Sequence, residues 1–475
     1  ERFVQTLAAN VAKDENAKPF TPVFPEYAQY SVAIGVALCA RESNKIFTCQ
    51  SLIDKLVESK NTASHNKYLE PLFANDEDLQ DFIKRHDSAK VDEVDLDSAY
   101  SEYIAKHPQK DAKMPVYIGI DCGSTTTKLV MIDDDNRLLY QYYSSNLGSP
   151  ASVIHSQLKH IYENYAEQII IKGSAVTGYG EELIKEAFML DAGLVETMAH
   201  LKAAQYFNPS VDFIIDIGGQ DIKCFFIRHN NIDSIMLNEA CSSGCGSFIE
   251  TFARSMGYEV AEFSALGLAS KHPVELGSRF TVFMNSSVKE AQKEGASIED
   301  ISAGLSMSVV KNAIYKVIRA RDADDLGKQI VVQGGTFLNN AVLRSFEKEI
   351  GRNVIRPKIS GLMGAFGAAL FAKNLELEHS TIISKEALAH FSHSASATNC
   401  KICGNNCNLT INKFNDEKGV RRFISGNRCE KPLGLKKSSG AKYQNMYEYK
   451  LNKLKALLSY ELYNKPAQSK GKIGI

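Results

Sequence analysis

Two stretches of this chain end an apolar strand in an aspartate and follow it with a small-residue turn and a second strand. The first is Asp121-Cys122-Gly123-Ser124-Thr125-Thr126-Thr127-Lys128, set between Val116–Ile120 and a strand over Thr127–Ile132. Such a turn points several backbone N–H groups and hydroxyls at one place, and oriented donors of this kind bind phosphate. An aspartate at the strand end can hold Mg²⁺ through water, because that ion keeps most of its hydration and takes few carboxylates. Gly, Ser and Thr also make ordinary β-turns, so the first motif alone leaves both readings open. The second stretch, Phe213-Ile214-Ile215-Asp216-Ile217-Gly218-Gly219-Gln220-Asp221 with the strand Ile222–Ile227, repeats the pattern. Two such hairpins facing each other would pinch a polyphosphate, with Asp216 placing the attacking water or a Mg²⁺-bound water. Asp121, Asp216 and Gln220 are therefore the candidate catalytic residues. Gly123, Ser124, Thr125, Thr126, Lys128, Gly218 and Gly219 are the candidate phosphate contacts. A third strand, Ile330–Gln333, runs into Gly334-Gly335-Thr336-Phe337. Gly334 and Gly335, lacking Cβ, would let a purine and its ribose approach the backbone.

The ten cysteines supply a second chemistry. They are not spread as in a small secreted disulfide scaffold but gather as Cys241/Cys245 and Cys400/Cys403/Cys407/Cys429. Clusters of this kind in a reducing compartment point to metal or redox work. Cys39, Cys49 and Cys224 stand apart and are expected as small buried hydrophobes. Ser242-Ser243-Gly244-Cys245-Gly246 before Phe248–Phe252 reads as a helix start, whose N–H groups favour thiolates and cluster sulfides. The Cys-x₂-Cys-x₃-Cys run with Cys429 can close a tetrahedral zinc site or hold an iron–sulfur cluster, and spacing does not separate the two.

The elements that must position these groups alternate between strand and helix patterns from Val116 to about Ala372, which argues a mixed α/β domain. The 475-residue length exceeds what one core usually organises. The divisions expected are 1–60, 61–115 (a charged helical connection), 116–373 (the α/β domain) and 392–475 (a Cys-rich module with a Lys-rich tail). Pro25–Ala40 aligns without gaps on Pro357–Ala372, with six of sixteen positions identical. Residues 1–60 thus read as the tail of a first domain of the same kind, and the chain as a fragment of a longer polypeptide. A net charge of −1 gives no basic field for nucleic acid or an anionic membrane. No apolar run reaches the roughly 18–20 residues needed to cross a bilayer. With no signal-peptide pattern at Glu1-Arg2-Phe3, a cytoplasmic protein is expected.

The ordered triplet of motifs resembles the actin-like, sugar-kinase-like ATPase superfamily. Within it, the chain resembles the activators (component A) of 2-hydroxyacyl-CoA dehydratases and the ATPase subunits of benzoyl-CoA reductase. Val176-Thr177-Gly178-Tyr179-Gly180, Asn238–Gly246 and Phe283–Ser286 carry that likeness, which spans about 116–373; the flanks resemble the large multidomain relatives. The resemblance implies a two-lobed ATPase, ATP/ADP and Mg²⁺ as ligands, and a contact at Gly178. It further implies a homodimer sharing one [4Fe–4S] cluster, an electron donor such as ferredoxin or flavodoxin, and a dehydratase- or reductase-like electron acceptor. The first family cysteine matches Cys241, but the second falls at Phe280, which cannot ligate iron. Either Cys241 and Cys245 together supply the two ligands of each chain, or this ATPase has lost the cluster. Two rival classes share the hairpins: a small-metabolite kinase and a non-catalytic, ATP-binding assembly scaffold.

Overall fold

The computed structural model describes residues 26–42, 48–61, 67–109, 112–146, 148–219, 221–238, 246–277, 281–416, 419–429, 432 and 446–461. A 3₁₀ turn over Ala28–Tyr30 leads into helix α1 (Ser31–Glu42), followed by α2 (Cys49–Asn61), α3 (Asp76–Asp87) and α4 (Leu96–Lys106). The first lobe is then built from β1 (Met114–Cys122), β2 (Thr126–Ile132), β3 (Leu138–Ser145), α5 (Pro150–Tyr165), β4 (Ile169–Thr177), α6 (Glu181–Phe188) and the short β5 (Ala192–Gly193). Its sheet has the order β3-β2-β1-β4-β5. β1 runs antiparallel to β2 and parallel to β4. Helix α7 (Glu196–Phe207) leaves this lobe for the second, which holds β6 (Phe213–Ile217), β7 (Ile222–Arg228), β8 (Asn231–Asn238), α8 (Gly246–Ser255), α9 (Val260–Leu268), α10 (Thr281–Lys293), α11 (Ile298–Asn312), β9 (Ile330–Gln333) and α12 (Asn340–Ile350). The second sheet has the order β8-β7-β6-β9. Strands β1 and β6 read as continuous apolar runs because each is central and covered on both faces. Helix starts follow capping chemistry: Ser297 accepts from the Asp300 N–H, and Asn339 from the N–H groups of Ala341 and Val342.

Helix α13 (Met363–Lys373) returns to the first lobe and packs at backbone distance. A Cβ on Gly119 of β1 would overlap the Ala365 carbonyl, and one on Gly367 would overlap the Ala199 carbonyl of α7. The two helices that pass between the lobes are thus pressed together and onto the central strand. The aligned segment near the N-terminus shows the same local geometry, a 3₁₀ turn (Ala28–Tyr30 against Ser360–Leu362) running into a helix at matching positions. Helix α1, however, is exposed along nearly its whole length, and Gly35, aligned with Gly367, has no atom within 4 Å of a built Cβ.

Residues 67–109 carry α3 and α4 and pack on both lobes. The Leu69 N–H donates to the Pro273 carbonyl at 2.7 Å on the second lobe; on the first, the Val94 N–H donates to the Leu138 carbonyl at the edge of the sheet, and the Leu138 N–H donates to the Asp92 carbonyl. Phe82 and Leu96 are buried in the cores of the second and first lobes. The C-terminal sheet consists of β10 (Ser392–Asn399), β11 (Asn408–Asp416) and β12 (Gly419–Ser425). It follows α14 (Lys385–Ala389) and docks on the first lobe through buried Phe414. The Arg421 guanidinium also donates to the carbonyls of Glu186 and Ala187. The last helix, α15 (Met446–Glu461), covers the amphipathic stretch of the tail. No helix among the described residues is long and apolar enough to cross a membrane.

The tie between α3 and the second lobe is polar and buried. Glu347 of α12 accepts from both guanidinium nitrogens of Arg85, at 2.5 and 2.9 Å, and from the Val354 N–H at 3.1 Å. Burial opposes its charge, but the bonds from His86 and Arg85 prevail and hold its pKa at about 2. Breaking a buried pair by removing one partner typically costs about 3–5 kcal/mol. Glu347→Ala is expected to lower the unfolding free energy within that range, read from the urea midpoint at constant slope.

Candidate active site

The two hairpins face each other across one cleft of about 280 Å³. In each, strand register sets the aspartate opposite a lysine: Asp121 against Lys128, and Asp216 against Lys223. Lys128 Nζ lies 2.9 Å from Asp121 Oδ2 and sits over the Tyr143 ring, 5.6 Å from its centroid. Burial works against the ammonium, yet the Asp121 carboxylate outweighs it and lifts the pKa to about 12. The first turn is closed by the Gly123 N–H donating to the Thr126 carbonyl at 2.9 Å. Asn146 braces it from below, donating to the carbonyls of Gly123 and Ser124 at 3.1 Å each. The second turn is closed by the Gly218 N–H donating to the Asp221 carbonyl at 2.9 Å.

Between the hairpins stands the N-terminal end of α7. Its Glu196 and His200 share the cleft with Asp216 and Lys223. Lys223 Nζ lies 2.5 Å from Glu196 Oε1 and 2.7 Å from Asp221 Oδ2. His200 Nε2 lies 3.6 Å from Asp216 Oδ2 and 3.8 Å from Glu196 Oε1. Burial alone would strip the proton from His200, but the Asp216 and Glu196 carboxylates raise its pKa to about 9. Glu196 is pulled down to about 2, because His200 and Lys223 outweigh its burial. Among the described residues, Glu196, His200 and Asp216 are the group of three whose ligand atoms lie within 4.8 Å of one another. Four carboxylates and three cations thus converge on the cleft, a charge balance suited to a polyphosphate carried with a divalent cation.

Of the residues expected from sequence, Asp121, Gly123, Ser124, Thr125, Thr126, Lys128, Asp216, Gly218, Gly219, Gly334 and Gly335 line this cleft. Gly178 does not: with φ at +92° it lies beneath the first turn, where a Cβ would sit 2.7 Å from the Cys122 carbonyl and 2.8 Å from Asp121. Gly334 is also misread as clearance for a purine. Its φ is +90°, and a Cβ there would overlap the Ile217 carbonyl, so the space is taken by strand β6. Only Gly335 opens outward, its nearest neighbour being the Tyr143 hydroxyl at 3.4 Å from a built Cβ. Beyond Gly335 lies a largely apolar pocket of about 510 Å³, walled by Ile249, Val260, Ala261, Leu268 and Leu338. Gln220, Cys241, Cys245 and Phe280 fall outside the described residues.

Lys223, Glu196 and His200 were missed. Lys223 had a signal, since it follows Asp216 by the same seven-residue interval that separates Lys128 from Asp121. Glu196 and His200 had none beyond lying one helical turn apart. The other cysteines divide differently from expectation: Cys224 is buried, but Cys39 and Cys49 are exposed. Cys400, Cys403, Cys407 and Cys429 gather near one end of the C-terminal sheet, where the Cys400 N–H donates to the Cys407 carbonyl. Yet no three of these thiols form a group closing to within 4.8 Å.

Two mixed-sheet lobes joined by paired crossing helices, with an Asp-bearing hairpin from each facing one cleft, define an actin-like ATPase. A family model, the BadF/BadG/BcrA/BcrD ATPase family, matches residues 118–372. The chain belongs to that family and is an ATP-binding ATPase. It is 32% identical over 260 residues to the 2-hydroxyisocaproyl-CoA dehydratase activator of Clostridioides difficile, covering 54% of this chain and 94% of that protein. It is 28% identical to the (R)-2-hydroxyglutaryl-CoA dehydratase activating ATPase of Acidaminococcus fermentans, covering 54% and 98%. The crystal structure of that dehydratase's component A aligns over 55% of this chain and 98% of its own, at a TM-score of 0.49.

The two glycines separate fold from binding. Gly334→Ala is expected to lower the melting temperature by several degrees, as overpacking against backbone costs about 1–3 kcal/mol. Gly335→Ala should leave it near the wild-type value and weaken ADP binding instead, which paired calorimetric titration and thermal melts will separate.

Proposed function

We propose that this protein uses ATP binding and hydrolysis to drive low-potential electron transfer from an iron–sulfur cluster to a dehydratase- or reductase-like partner. The observation that carries the reading is a junction in the second lobe. The Gly246 and Ser247 N–H groups, in the first turn of α8, donate to the carbonyls of Gly218 and Gly219 at 3.1 and 3.0 Å. The same Gly218 carbonyl accepts from the Thr336 hydroxyl at 2.9 Å. Helix α8 begins directly after Cys245, so the cysteine-bearing segment ends on the turn proposed to hold phosphate. A shift of that turn on nucleotide binding is handed to the cysteines through two backbone bonds. A ligand moves such an equilibrium only by binding one state better, and a turn that exists to contact phosphate has that differential. The similarity to proteins named as dehydratase activators supports the direction of the coupling.

In this scheme Asp121 holds Mg²⁺ through water, and Gly123–Thr126 with Lys128 receive the phosphates from one side. Gly218 and Gly219 receive them from the other. Asp216, Gln220 and Glu196 orient the attacking water. Gly335 and the apolar pocket take the adenosine. Cys241 and Cys245 would hold a [4Fe–4S] cluster, which supplies one-electron chemistry when bound. Two thiolates leave such a cluster two ligands short, so a two-fold dimer completes the set, with Phe280 as an apolar wall. A small donor such as ferredoxin or flavodoxin would reload the cluster.

The same reading extends to residues 1–60 as the remnant of a first ATPase-like domain. Gly35 supports it: glycine costs a helix interior about 1 kcal/mol against alanine, and α1 by itself gives no return for that cost. At the aligned Gly367, the helix lies against backbone.

Asp216→Asn is expected to reduce ATP turnover by about 10²–10³, the usual loss for one preorganised electrostatic contact, with the fold retained. Near-normal hydrolysis would remove Asp216 from its proposed role. For the cluster, the full chain purified anaerobically should carry iron and sulfide, and lose both in Cys241→Ser and in Cys245→Ser but not in Cys400→Ser. Iron kept by both of the first two variants would place the metal elsewhere and sink the redox reading.

A further inference from the structure

His200 is a cleft group to which the scheme above gives no part. It is 5% exposed and sits on α7, one turn after Glu196. Its two ring nitrogens have different surroundings. Nδ1 lies 2.5 Å from Gln333 Oε1, while Gln333 Nε2 donates to the His200 carbonyl at 3.1 Å. The second bond fixes which way the Gln333 amide points, so Nδ1 carries the hydrogen and donates it. Gln333 itself is fully buried and pairs in register with Asp216 across β6 and β9. The ring is therefore clamped at one nitrogen by the strand beside Asp216 and turned so that Nε2 faces two carboxylates from two different elements.

We propose that His200 is a positioning residue of the ATPase site, whose Nε2–H sits between Asp216 and Glu196 and keeps both carboxylates aimed at the attacking water. The proposal rests on the roles given above to those two residues. Without a cation between them, the half-buried Glu196 carboxylate repels the buried one of Asp216, and Asp216 would turn toward Lys223. Lys223 is already committed to Glu196 and Asp221 and sits on a flexible stem, whereas the imidazole is planar and held at its far side. The three ligand atoms are also close enough to suggest a metal ion. Lys223, however, occupies the same Glu196 oxygen that such an ion would need, and an ammonium there disfavours a second cation. The contacts of 3.6 and 3.8 Å are charge contacts longer than hydrogen bonds.

Two substitutions divide the ring's functions. His200→Asn keeps a donor near the Nδ1 position, toward Gln333, and loses the one facing the carboxylates. His200→Gln does the reverse. The full-length protein is assayed for ATP turnover, MgADP affinity by calorimetry and melting temperature, beside Asp216→Asn. Affinity is expected to stay within about 3-fold in both His200 variants, with turnover falling about 100-fold in His200→Asn and no more than about 10-fold in His200→Gln. The opposite order would mean that the bond to Gln333 is what counts, a packing role, and would overturn the proposal. So would an Asn variant of wild-type turnover, or an affinity loss as large as the turnover loss. Should His200→Asn fail to fold, Gln333→Leu frees the ring without removing it; reduced turnover at unchanged affinity supports the proposal, and unchanged turnover refutes it. Wild-type turnover in Asp216→Asn sinks the role of Asp216 itself. An inactive Asp216→Asn beside an active His200→Asn sinks only this inference.

Discussion

The cleft must hold negative side chains close to where a polyanion binds, and the remaining architecture answers that electrostatic constraint. Asp121, Glu196, Asp216 and Asp221 all line the cleft and would repel both one another and phosphate. Strand register solves half of the problem by setting a lysine opposite each strand-end aspartate. The other half falls to α7, which brings His200 between Asp216 and Glu196. In a low-dielectric cleft such pairings are stronger than in water, and an unpaired member would be correspondingly costly. The result is a preassembled set of charges that needs little rearrangement on binding.

Holding that set together falls to small residues where the two crossing helices meet. Helix α13 lies on Gly119 and against α7 at Gly367 and Ala199, with no side chain between. Backbone contact fixes the crossing of the two helices closely. Residues 67–109 add a second connection. They are anchored by Glu347 on one lobe and by the edge of the first sheet on the other, with the Lys358 N–H bonded to the Ala89 carbonyl midway.

The second turn of the cleft and the start of α8 meet at Gly218, Gly219, Gly246 and Thr336. One carbonyl, that of Gly218, serves both the start of α8 and the Thr336 hydroxyl after β9. A Cβ on Gly246 would lie 2.6 Å from that hydroxyl oxygen. The junction has no slack, so a displacement of the turn passes to the helix instead of being absorbed by side-chain rearrangement.

What the sequence determined by itself were the features encoded locally. Strands β1 and β6 were legible because central strands are apolar without interruption, and their turns because Asp, Gly, Ser and Thr cluster where backbone donors must converge. The order of the three motifs along the chain was enough to suggest the actin-like arrangement. Tertiary structure decided whatever depends on which elements meet. Glu196 and His200 look like any helical Glu and His until α7 is seen to enter the cleft. Gly334 and Gly335 are identical neighbours in sequence, yet one abuts a strand and the other an open pocket, because β6 runs past only the first. The spacing of Cys400, Cys403, Cys407 and Cys429 permits a tetrahedron, but spacing along a chain does not set distance between sulfur atoms. The charged stretch before β1 read as a linker because its apolar residues are few and split between two cores, a division that only the folded lobes reveal.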